Sequence, residues 1–194
     1  MAVPSPQAEK KRIRSAVRQE RMRFVAALES ETKRALEEQL AELLCPYIEK
    51  ATIIGSYAPI GSEISPVPTQ TRARQLGKTL AFPHFEHGTE QFTFRAGDAL
   101  SPGPYGILQP RDRDPVVEPD LVLVPLVAVG DHGVRLGQGK GHYDRALASL
   151  KKAGVTLLGI GWKVQRVETI PSEPWDIAVD LFASPRGVED FRDA

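Results

Sequence analysis

The pattern of hydrophobic positions changes along the 194-residue chain, from helical spacing at the start to short apolar runs further on. Apolar residues three or four positions apart predict amphipathic helices over residues 9–28 and 31–49. Further along, short apolar runs bounded by glycine and proline predict buried strands, which alternate with helices. The predicted strands cover residues 52–57, 79–82, 121–129, 155–162 and 178–184, with a hairpin strand over 91–94 and helices over 69–76 and from about 146.

Alternating strands and helices are typical of layered α/β folds. We therefore predict a single α/β domain over residues 9–194, with a mostly parallel central sheet flanked by helices. Residues 1–8 are rich in proline, serine and alanine and are predicted to form a disordered tail. The proline-rich tract over residues 101–120 is predicted to be a functional loop within the domain.

The composition of the chain limits the kinds of molecule that it is expected to bind. The 25 basic and 25 acidic side chains cancel, so no overall field attracts nucleic acid or an anionic membrane. No apolar run is long enough to span a membrane, and the amino terminus lacks the hydrophobic core of a secretory signal. Cys45 is the only cysteine and is predicted to be a buried thiol. We expect a monomer in the reducing cytoplasm that binds neither nucleic acid nor membranes.

The segment GVRLGQGKGHYD, residues 133–144, is the strongest candidate for a binding site. It follows a predicted strand and precedes a predicted helix, so its main-chain N–H groups would lie at the positive end of that helix. Alternating glycines permit positive φ angles, and basic side chains add positive charge. These residues are Gly137, Gly139 and Gly141, with Arg135 and Lys140.

This loop matches neither of two common phosphate-binding motifs. A Walker loop would place glycine at position 134 and serine or threonine at 141, where Val134 and Gly141 stand. A dinucleotide-binding fingerprint needs GxGxxG and an acidic residue about twenty positions later. This loop has GxGxG, and Gly161 and Trp162 stand where the acidic residue would be. A phosphate ligand is the first hypothesis, with Asp144 holding the accompanying cation. A glycine-rich surface turn is the alternative.

A stripe of basic residues lies beside the apolar face of the first predicted helix. Lys10, Arg14, Arg18 and Arg21 recur there every three or four residues. Charges at that border can reach into a cleft. A solvated basic face is an equally good interpretation of the spacing.

Glu63 follows the first predicted strand, at the carboxyl edge of the sheet where ligands of α/β proteins bind. A lone glutamate on a loop is more often simply solvated. His84 and His87 have the spacing of a helical metal site, but Pro83 and Gly88 indicate a turn. We therefore assign no metal to the histidines.

Taken together, these segments resemble the 5-formyltetrahydrofolate cyclo-ligase family, also called methenyltetrahydrofolate synthetases. The loop RLGQGKGHYDR after DLVLVPLVAV resembles the family signature, and Lys10 with Arg14 in KKRIR matches its amino-terminal pattern. Glu63 in SYAPIGSEIS corresponds to the family's acidic folate-loop residue. The tract YGILQP and the tail VETIPSEPWDIAVD, with Asp176 and Asp180, resemble two further elements. The likeness covers nearly the whole chain after residue 9.

The resemblance implies ATP- and Mg²⁺-dependent cyclisation of 5-formyltetrahydrofolate, with or without a polyglutamate tail, to 5,10-methenyltetrahydrofolate. In the implied mechanism the formyl oxygen is phosphorylated and N10 then attacks the formyl carbon. ADP and phosphate are released. Three alternatives remain open: an ATP-dependent ligase acting on another small amide or acyl substrate, a non-catalytic folate or nucleotide binder, and a nucleic-acid-binding module. The last is disfavoured because the chain is neutral overall and the basic stripe lacks interleaved aromatic residues.

The resemblance also implies roles for individual residues. The catalytic residues would be Arg14, Arg135 and Lys140. The nucleotide would be bound by Lys10, Arg14, Arg135, Gly137, Gln138, Gly139, Lys140, Gly141, His142 and Tyr143. The folate would be bound by Tyr57, Ala58 and Glu63, and Mg²⁺ by Asp144 and Asp180.

Three residues depart from the family pattern. Gln109 stands where the family commonly has glutamate, His142 where it commonly has tyrosine, and Trp175 where a polar residue or histidine is frequent. None of these departures removes a phosphate or metal ligand of the family. We expect them to adjust the fit of the substrate.

Overall fold

A computed structural model describes residues 5–85, 92–99, 101–139 and 142–192 of the chain, apart from the side chains of Tyr105, His142, Asp144 and Arg145. The helices are α1 (Pro6–Ala26), α2 (Ser30–Lys50), α3 (Val67–Gln75) and α4 (His142–Lys152), with 3₁₀ turns at Pro104–Gly106, Asp131–Gly133 and Lys163–Gln165. The strands are β1 (Ile53–Gly55), β2 (Thr79–Phe85), β3 (Phe92–Ala96), β4 (Ser101–Pro102), β5 (Leu108–Gln109), β6 (Leu121–Pro125), β7 (Ala128–Val129), β8 (Arg135–Leu136), β9 (Thr156–Ile160), β10 (Leu181–Ser184) and β11 (Gly187–Asp190).

Seven strands form the central sheet in the order β11-β10-β9-β6-β1-β2-β3. The five inner strands are parallel, and β3 and β11 are antiparallel at the two edges. The short pairs β4–β5 and β7–β8 lie outside this sheet. The prediction of an α/β fold with a mostly parallel sheet is therefore confirmed.

The sheet is buried on both faces. In β6, Leu121 and Leu123 pack into the core beneath α2 and α3, whereas Val122 and Val124 pack on the α4 side. This alternation is the period of two that a strand imposes on its side chains. Burying one leucine side chain stabilises the fold by about 1.5–3 kcal/mol, so both layers contribute.

Helix α1 packs against the core beneath α2 and α3 only near its end, through Phe24 and Val25. Its residues Ile13 and Val17 join Val127, Ala128 and Leu136 in a third apolar cluster beyond the carboxyl end of β6. The helix starts at Pro6, and the Ser5 hydroxyl caps it by accepting a hydrogen bond from the Ala8 N–H at 3.3 Å. Residues 6–8, predicted to belong to a disordered tail, are therefore the first turn of α1, while residues 1–4 lie outside the description.

The element bounds differ from prediction where polar or proline residues intervene. The run predicted as one strand over residues 121–129 is two, β6 and β7, because β6 ends at Pro125, which lacks an N–H. Strand β2 continues through Pro83 because its pairing with β1 ends at Ala81, so the missing N–H is not needed there. The edge strand β11 was not predicted, since its sequence GVED is largely polar.

Candidate active site

A cavity of about 860 Å³ opens at the carboxyl edge of the sheet. Phe85 and Pro125, the last residues of β2 and β6, form part of its base. The amino-terminal half of α1, the loop 137–139, α4 and the segment 173–177 form its walls. The volume is in the range of small-molecule sites, which are commonly about 300–1,000 Å³.

The glycine loop lines this cavity directly after β8. Gly139 has a φ of 95°, the left-handed conformation that favours glycine, as the sequence predicted. Gly137 is not in that region; a Cβ there would lie 2.8 Å from Nη1 of Arg135, so close approach accounts for this glycine. Lys140 and Gly141 lie outside the described residues.

Arginines of α1 hold the loop by its carbonyl groups. Arg14 Nε donates to the Gly137 carbonyl at 3.0 Å, and Arg18 Nη2 donates to the Gln138 carbonyl at 3.1 Å. Because the C=O and N–H of a trans peptide point in opposite directions, the N–H groups of Gln138 and Gly139 point away from these donors. Both arginines therefore help to orient the main chain of the loop.

All four residues of the basic stripe make contacts on the inner side of α1. Lys10 and Arg21 are buried, and the Arg21 Nε donates to the Ser62 hydroxyl at 3.0 Å. Lys11, Arg12 and Arg23, elsewhere on the helix, are exposed. Of the two interpretations of the spacing, the structure favours the one in which these charges reach into a cleft.

Lys10 binds two carboxylates at the mouth of the cavity. Its ammonium lies 2.7 Å from Glu173 and 2.5 Å from Asp176, and the residue is only 3% exposed. Burial lowers the pKa of Lys10, but hydrogen bonds and charge attraction from Asp176 and Glu173 outweigh burial and raise it overall. Sequence reasoning found Lys10 but not this pairing, because the partners are more than 160 residues away.

Glu63 is 8% exposed and lies in the wall of the same cavity. Its carboxylate accepts the Ile60 N–H at 3.0 Å and the Gln138 side-chain amide at 3.1 Å. Burial raises the pKa of Glu63, although these hydrogen bonds and the charge of Arg21 oppose the rise. Gln138 therefore links the glycine loop to the predicted folate-binding carboxylate.

Tyr57 and Ala58 are not among the residues that line the cavity. Tyr57 is 3% exposed, belongs to the core beneath α2 and donates its hydroxyl to the Ile64 carbonyl at 2.7 Å. Burial raises the pKa of this hydroxyl well above its ordinary value. Tyr57 therefore supports the Glu63 loop from beneath, and the binding of folate by these two residues stays a prediction.

Arg135 and Tyr143, which were both predicted to bind the nucleotide, line the cavity. Arg135 is 4% exposed on β8. Tyr143, on the first turn of α4, packs its ring against Phe92 with centroids 5.1 Å apart, and burial raises the pKa of its hydroxyl. Gln109, one of the departures from the family pattern, is buried and accepts the N–H of Phe85, so it supports the base of the cavity.

Of the two predicted metal ligands, the structure describes the side chain of Asp180 alone. Asp180 accepts the Leu157 N–H at 2.7 Å and lies 3.1 Å from the Lys151 ammonium, and it is not among the residues lining the cavity. The side chains of Asp144 and His142 are outside the description. Among the residues described, no three or more His, Cys, Asp or Glu side chains form a group that could hold a metal ion.

His84 lies in β2 and not in a turn, with its Nε2 2.9 Å from the Asp112 carboxylate; His87 is outside the described residues. In the part of the chain that the structure covers, no helix is both long and apolar enough to cross a membrane.

Comparison with known proteins agrees with the fold. A 5-formyltetrahydrofolate cyclo-ligase of Haemophilus influenzae is 24% identical over 87% of this chain and 94% of its own length. One from Mycolicibacterium smegmatis is 28% identical over 81% and 89%. The NMR structure of Aquifex aeolicus 5,10-methenyltetrahydrofolate synthetase superimposes with a TM-score of 0.79 at 28% identity, covering 95% of this chain and 94% of that one.

The sequence profile of the 5-formyltetrahydrofolate cyclo-ligase family matches residues 6–185, nearly the whole chain. This match includes the basic stripe, Glu63, the glycine loop and the segment 173–177. The resemblance inferred from the sequence is confirmed, and the chain belongs to the 5-formyltetrahydrofolate cyclo-ligase family.

Proposed function

We propose that this protein cyclises 5-formyltetrahydrofolate to 5,10-methenyltetrahydrofolate and converts ATP to ADP and phosphate in the same reaction. The observation that carries the proposal is the convergence of Lys10, Arg14 and Arg135 with the main chain of residues 137–139 on one cavity that also holds Glu63. Cationic groups and main-chain amides are the usual partners of phosphate, and a carboxylate is a suitable partner for the amino groups of a pterin.

The chemistry explains why phosphate-binding groups are needed. A formyl amide is a poor electrophile because the nitrogen lone pair is delocalised into its carbonyl. The formyl oxygen attacks the γ-phosphorus, the bond to ADP breaks, and the formyl carbon becomes an imidate-like phosphate ester. The N10 lone pair then attacks this carbon, the C–O bond breaks with loss of phosphate, and N10 releases its proton. Both steps move negative charge onto phosphate oxygens.

In phosphoryl transfer, the protein mainly positions the reacting groups and neutralises the charge on the phosphates. Arg14 and Arg135 are placed to stabilise the transferring group together with Lys140, and Lys10 to bind phosphate oxygens once they displace Glu173 or Asp176. Glu63 orients the pterin so that the formyl oxygen faces the glycine loop. The link from Glu63 through Gln138 to the loop supports this shared orientation.

Mg²⁺ at such sites is held by one or two carboxylates together with substrate phosphates, and it neutralises charge on the phosphates. Within the cavity, Glu173 and Asp176 are occupied by Lys10. Asp144, on the first turn of α4 beside the glycine loop, is the residue we propose as the ligand. Asp180 is not proposed, because its carboxylate is engaged by Leu157 and Lys151.

The test is direct. The protein is mixed with 5-formyltetrahydrofolate, ATP and Mg²⁺, and the methenyl product is followed by its near-ultraviolet absorbance while ADP is measured separately. One ADP for each methenyl group is expected. ADP release without the methenyl product, and dependent on another amide or acyl compound, would identify a different ligase. Binding of both substrates without either product would identify a non-catalytic relative.

A further inference from the structure

The two tryptophans of the chain have opposite environments. Trp162 is 1% exposed, packs against Phe24 and donates its indole N–H to the Ser62 carbonyl at 3.0 Å. Trp175 is 64% exposed and lines the cavity, and it is the most exposed of the large hydrophobic side chains described. An exposed tryptophan in the wall of a cavity offers a large apolar ring to whatever binds there, which points to a contact with a ligand.

The segment that carries Trp175 is held firmly in place. The Glu173 N–H donates to the Asp176 carboxylate at 2.8 Å, and the Asp176 N–H donates back to the Glu173 carbonyl at 2.9 Å. Lys10 binds both side chains, and Ile177 packs against the core on the α4 side. The turn is thus anchored on both sides of Trp175, while the indole itself stays open to the cavity.

Helix α1 gives the position of Trp175 along the cavity. Lys10 contacts the Trp175 turn, Arg14 contacts the loop at Gly137, and Arg18 contacts Gln138, which binds Glu63. At 1.5 Å of rise per residue, Lys10 and Arg18 lie about 12 Å apart. The cavity therefore has Glu63 towards one end, the phosphate-binding loop between, and Trp175 towards the other end.

We propose that Trp175 is the platform on which the adenine ring of ATP stacks. This inference rests on the proposed function: with the pterin at Glu63 and the γ-phosphate at the loop, the base falls at the far end of the nucleotide, beside Trp175. Stacking of a base on an aromatic side chain makes binding more favourable and needs no hydrogen bonds to the edge of the base.

The charges around the indole favour adenine over the other aromatic ring in the reaction. The p-aminobenzoyl ring of the folate leads into a glutamate tail that carries at least two negative charges. Glu173 and Asp176 bracket Trp175 closely in the chain, and Lys10 balances only one of their two charges, so they would repel that tail. Adenine is uncharged, and its amino group can donate to a carboxylate.

Fluorescence tests the contact without turnover. Acrylamide is expected to quench Trp175 and to leave the buried Trp162 largely unaffected. ADP alone should shield the exposed tryptophan from acrylamide, whereas inorganic tripolyphosphate, which lacks the base, should not. The Trp175→Phe protein should show no ADP-dependent shielding. Equal shielding by tripolyphosphate, or none by ADP at saturation, would overturn the proposal.

Steady-state kinetics give an independent readout. Trp175→Ala is expected to raise the KM for ATP about 5- to 100-fold and to leave the KM for 5-formyltetrahydrofolate within about twofold. Trp175→Phe keeps an aromatic ring and should stay within about threefold of the parent protein for ATP. Leu76→Ala, at an exposed apolar residue that does not line the cavity, is the control.

A rise in the folate KM in place of the ATP KM would assign the indole to the p-aminobenzoyl ring and overturn the adenine assignment. Unchanged constants for both substrates would overturn it as well. If the parent protein forms no methenyl product while ADP still shields Trp175, the proposed function fails and the adenine site stands.

Discussion

Glu63 is a residue at which stability and ligand binding make opposing demands. Its carboxylate is buried, and the two groups that donate to it do not replace full hydration, so its pKa is raised. A raised pKa in a carboxyl means that the folded state favours the protonated form. At neutral pH the ionised side chain therefore destabilises the free protein, which is a common property of residues kept for binding.

Glu63→Gln should separate these effects. The amide retains an acceptor for the Ile60 N–H and cannot ionise, so the free energy of unfolding at pH 7 should rise by about 0.5–1.5 kcal/mol. The difference in unfolding free energy between the variant and the parent protein should be absent below the unfolded glutamate pKa of about 4.3. It should grow as the pH rises from there through the raised pKa of the folded state. Urea unfolding across that pH range measures this change.

The same substitution should lower kcat/KM for 5-formyltetrahydrofolate about 10- to 100-fold, through loss of a charge-assisted hydrogen bond. An active, unstabilised Glu63→Gln protein would contradict both the folate role and the assigned destabilisation.

Arg14 and Lys140 are expected to act on the transferring phosphoryl group. Replacing either one by alanine should lower kcat/KM at least about 10²-fold, which is typical when charge stabilisation is lost at a reacting centre. Lys11→Ala removes an exposed charge from the same helix as Arg14 and serves as the control. Unchanged kinetics in both the Arg14 and the Lys140 variants would refute the assigned roles.

At the scale of elements, the site depends on a contact between α1 and the glycine loop. A Cβ on Gly139 would lie 3.4 Å from the Arg14 guanidinium, at the near limit of ordinary van der Waals contact. The residue also has a positive φ, which costs a residue with a Cβ about 1–2 kcal/mol. An alanine there should therefore shift the loop or push Arg14 away from Gly137.

We expect Gly139→Ala to lower kcat/KM for both substrates by about tenfold or more, because loop and arginine are displaced together. Gly154→Ala is the matched control: Gly154 has a φ of 81° after α4, and a Cβ added there would have no neighbour within 4 Å. The control should lose a similar amount of stability in urea and keep its kinetics. Equal kinetics in the two variants would show that the Arg14 contact is unimportant.

At the scale of the whole molecule, the cavity is assembled by contacts between distant parts of the chain. Arg14 and Gly137 are 123 positions apart, and Lys10 and Asp176 are 166 apart. The parallel sheet makes this possible, since the carboxyl ends of its inner strands meet at one edge. A ligand that bridges these segments should therefore stabilise the entire domain.

ADP with Mg²⁺ should raise the midpoint of thermal unfolding. At a ligand concentration of about 100 times Kd the stabilisation is about 2.7 kcal/mol, which corresponds to roughly 5–10 °C for a domain of this size. Arg14→Ala should lose most of that increase at the same ADP concentration, and Lys11→Ala should retain it. A full increase in the Arg14 variant would contradict the placement of phosphates beside α1.

Much of this architecture could be predicted from local patterns. The continuous apolar run of Leu121–Pro125, the helical spacing of Ile13 and Val17, and the glycines of the loop each reflect a constraint within one short segment. Helix type and strand type followed from these constraints, and so did the hypothesis of a phosphate ligand. The edge strand β11 was not predicted, because a strand exposed at the edge of a sheet does not need regularly spaced apolar residues.

Partners of side chains could not be predicted in the same way. Whether Lys10 meets two carboxylates, whether Tyr57 faces a ligand or the core, and whether Asp180 is available to a metal all depend on which distant segments the sheet brings together. Periodicity places a side chain on a face of its own element, whereas burial, pairing and pKa arise from neighbours that belong to other elements. Tertiary packing therefore assigned Lys10 to Glu173 and Asp176, placed Tyr57 in the core, and left Trp175 facing the cavity.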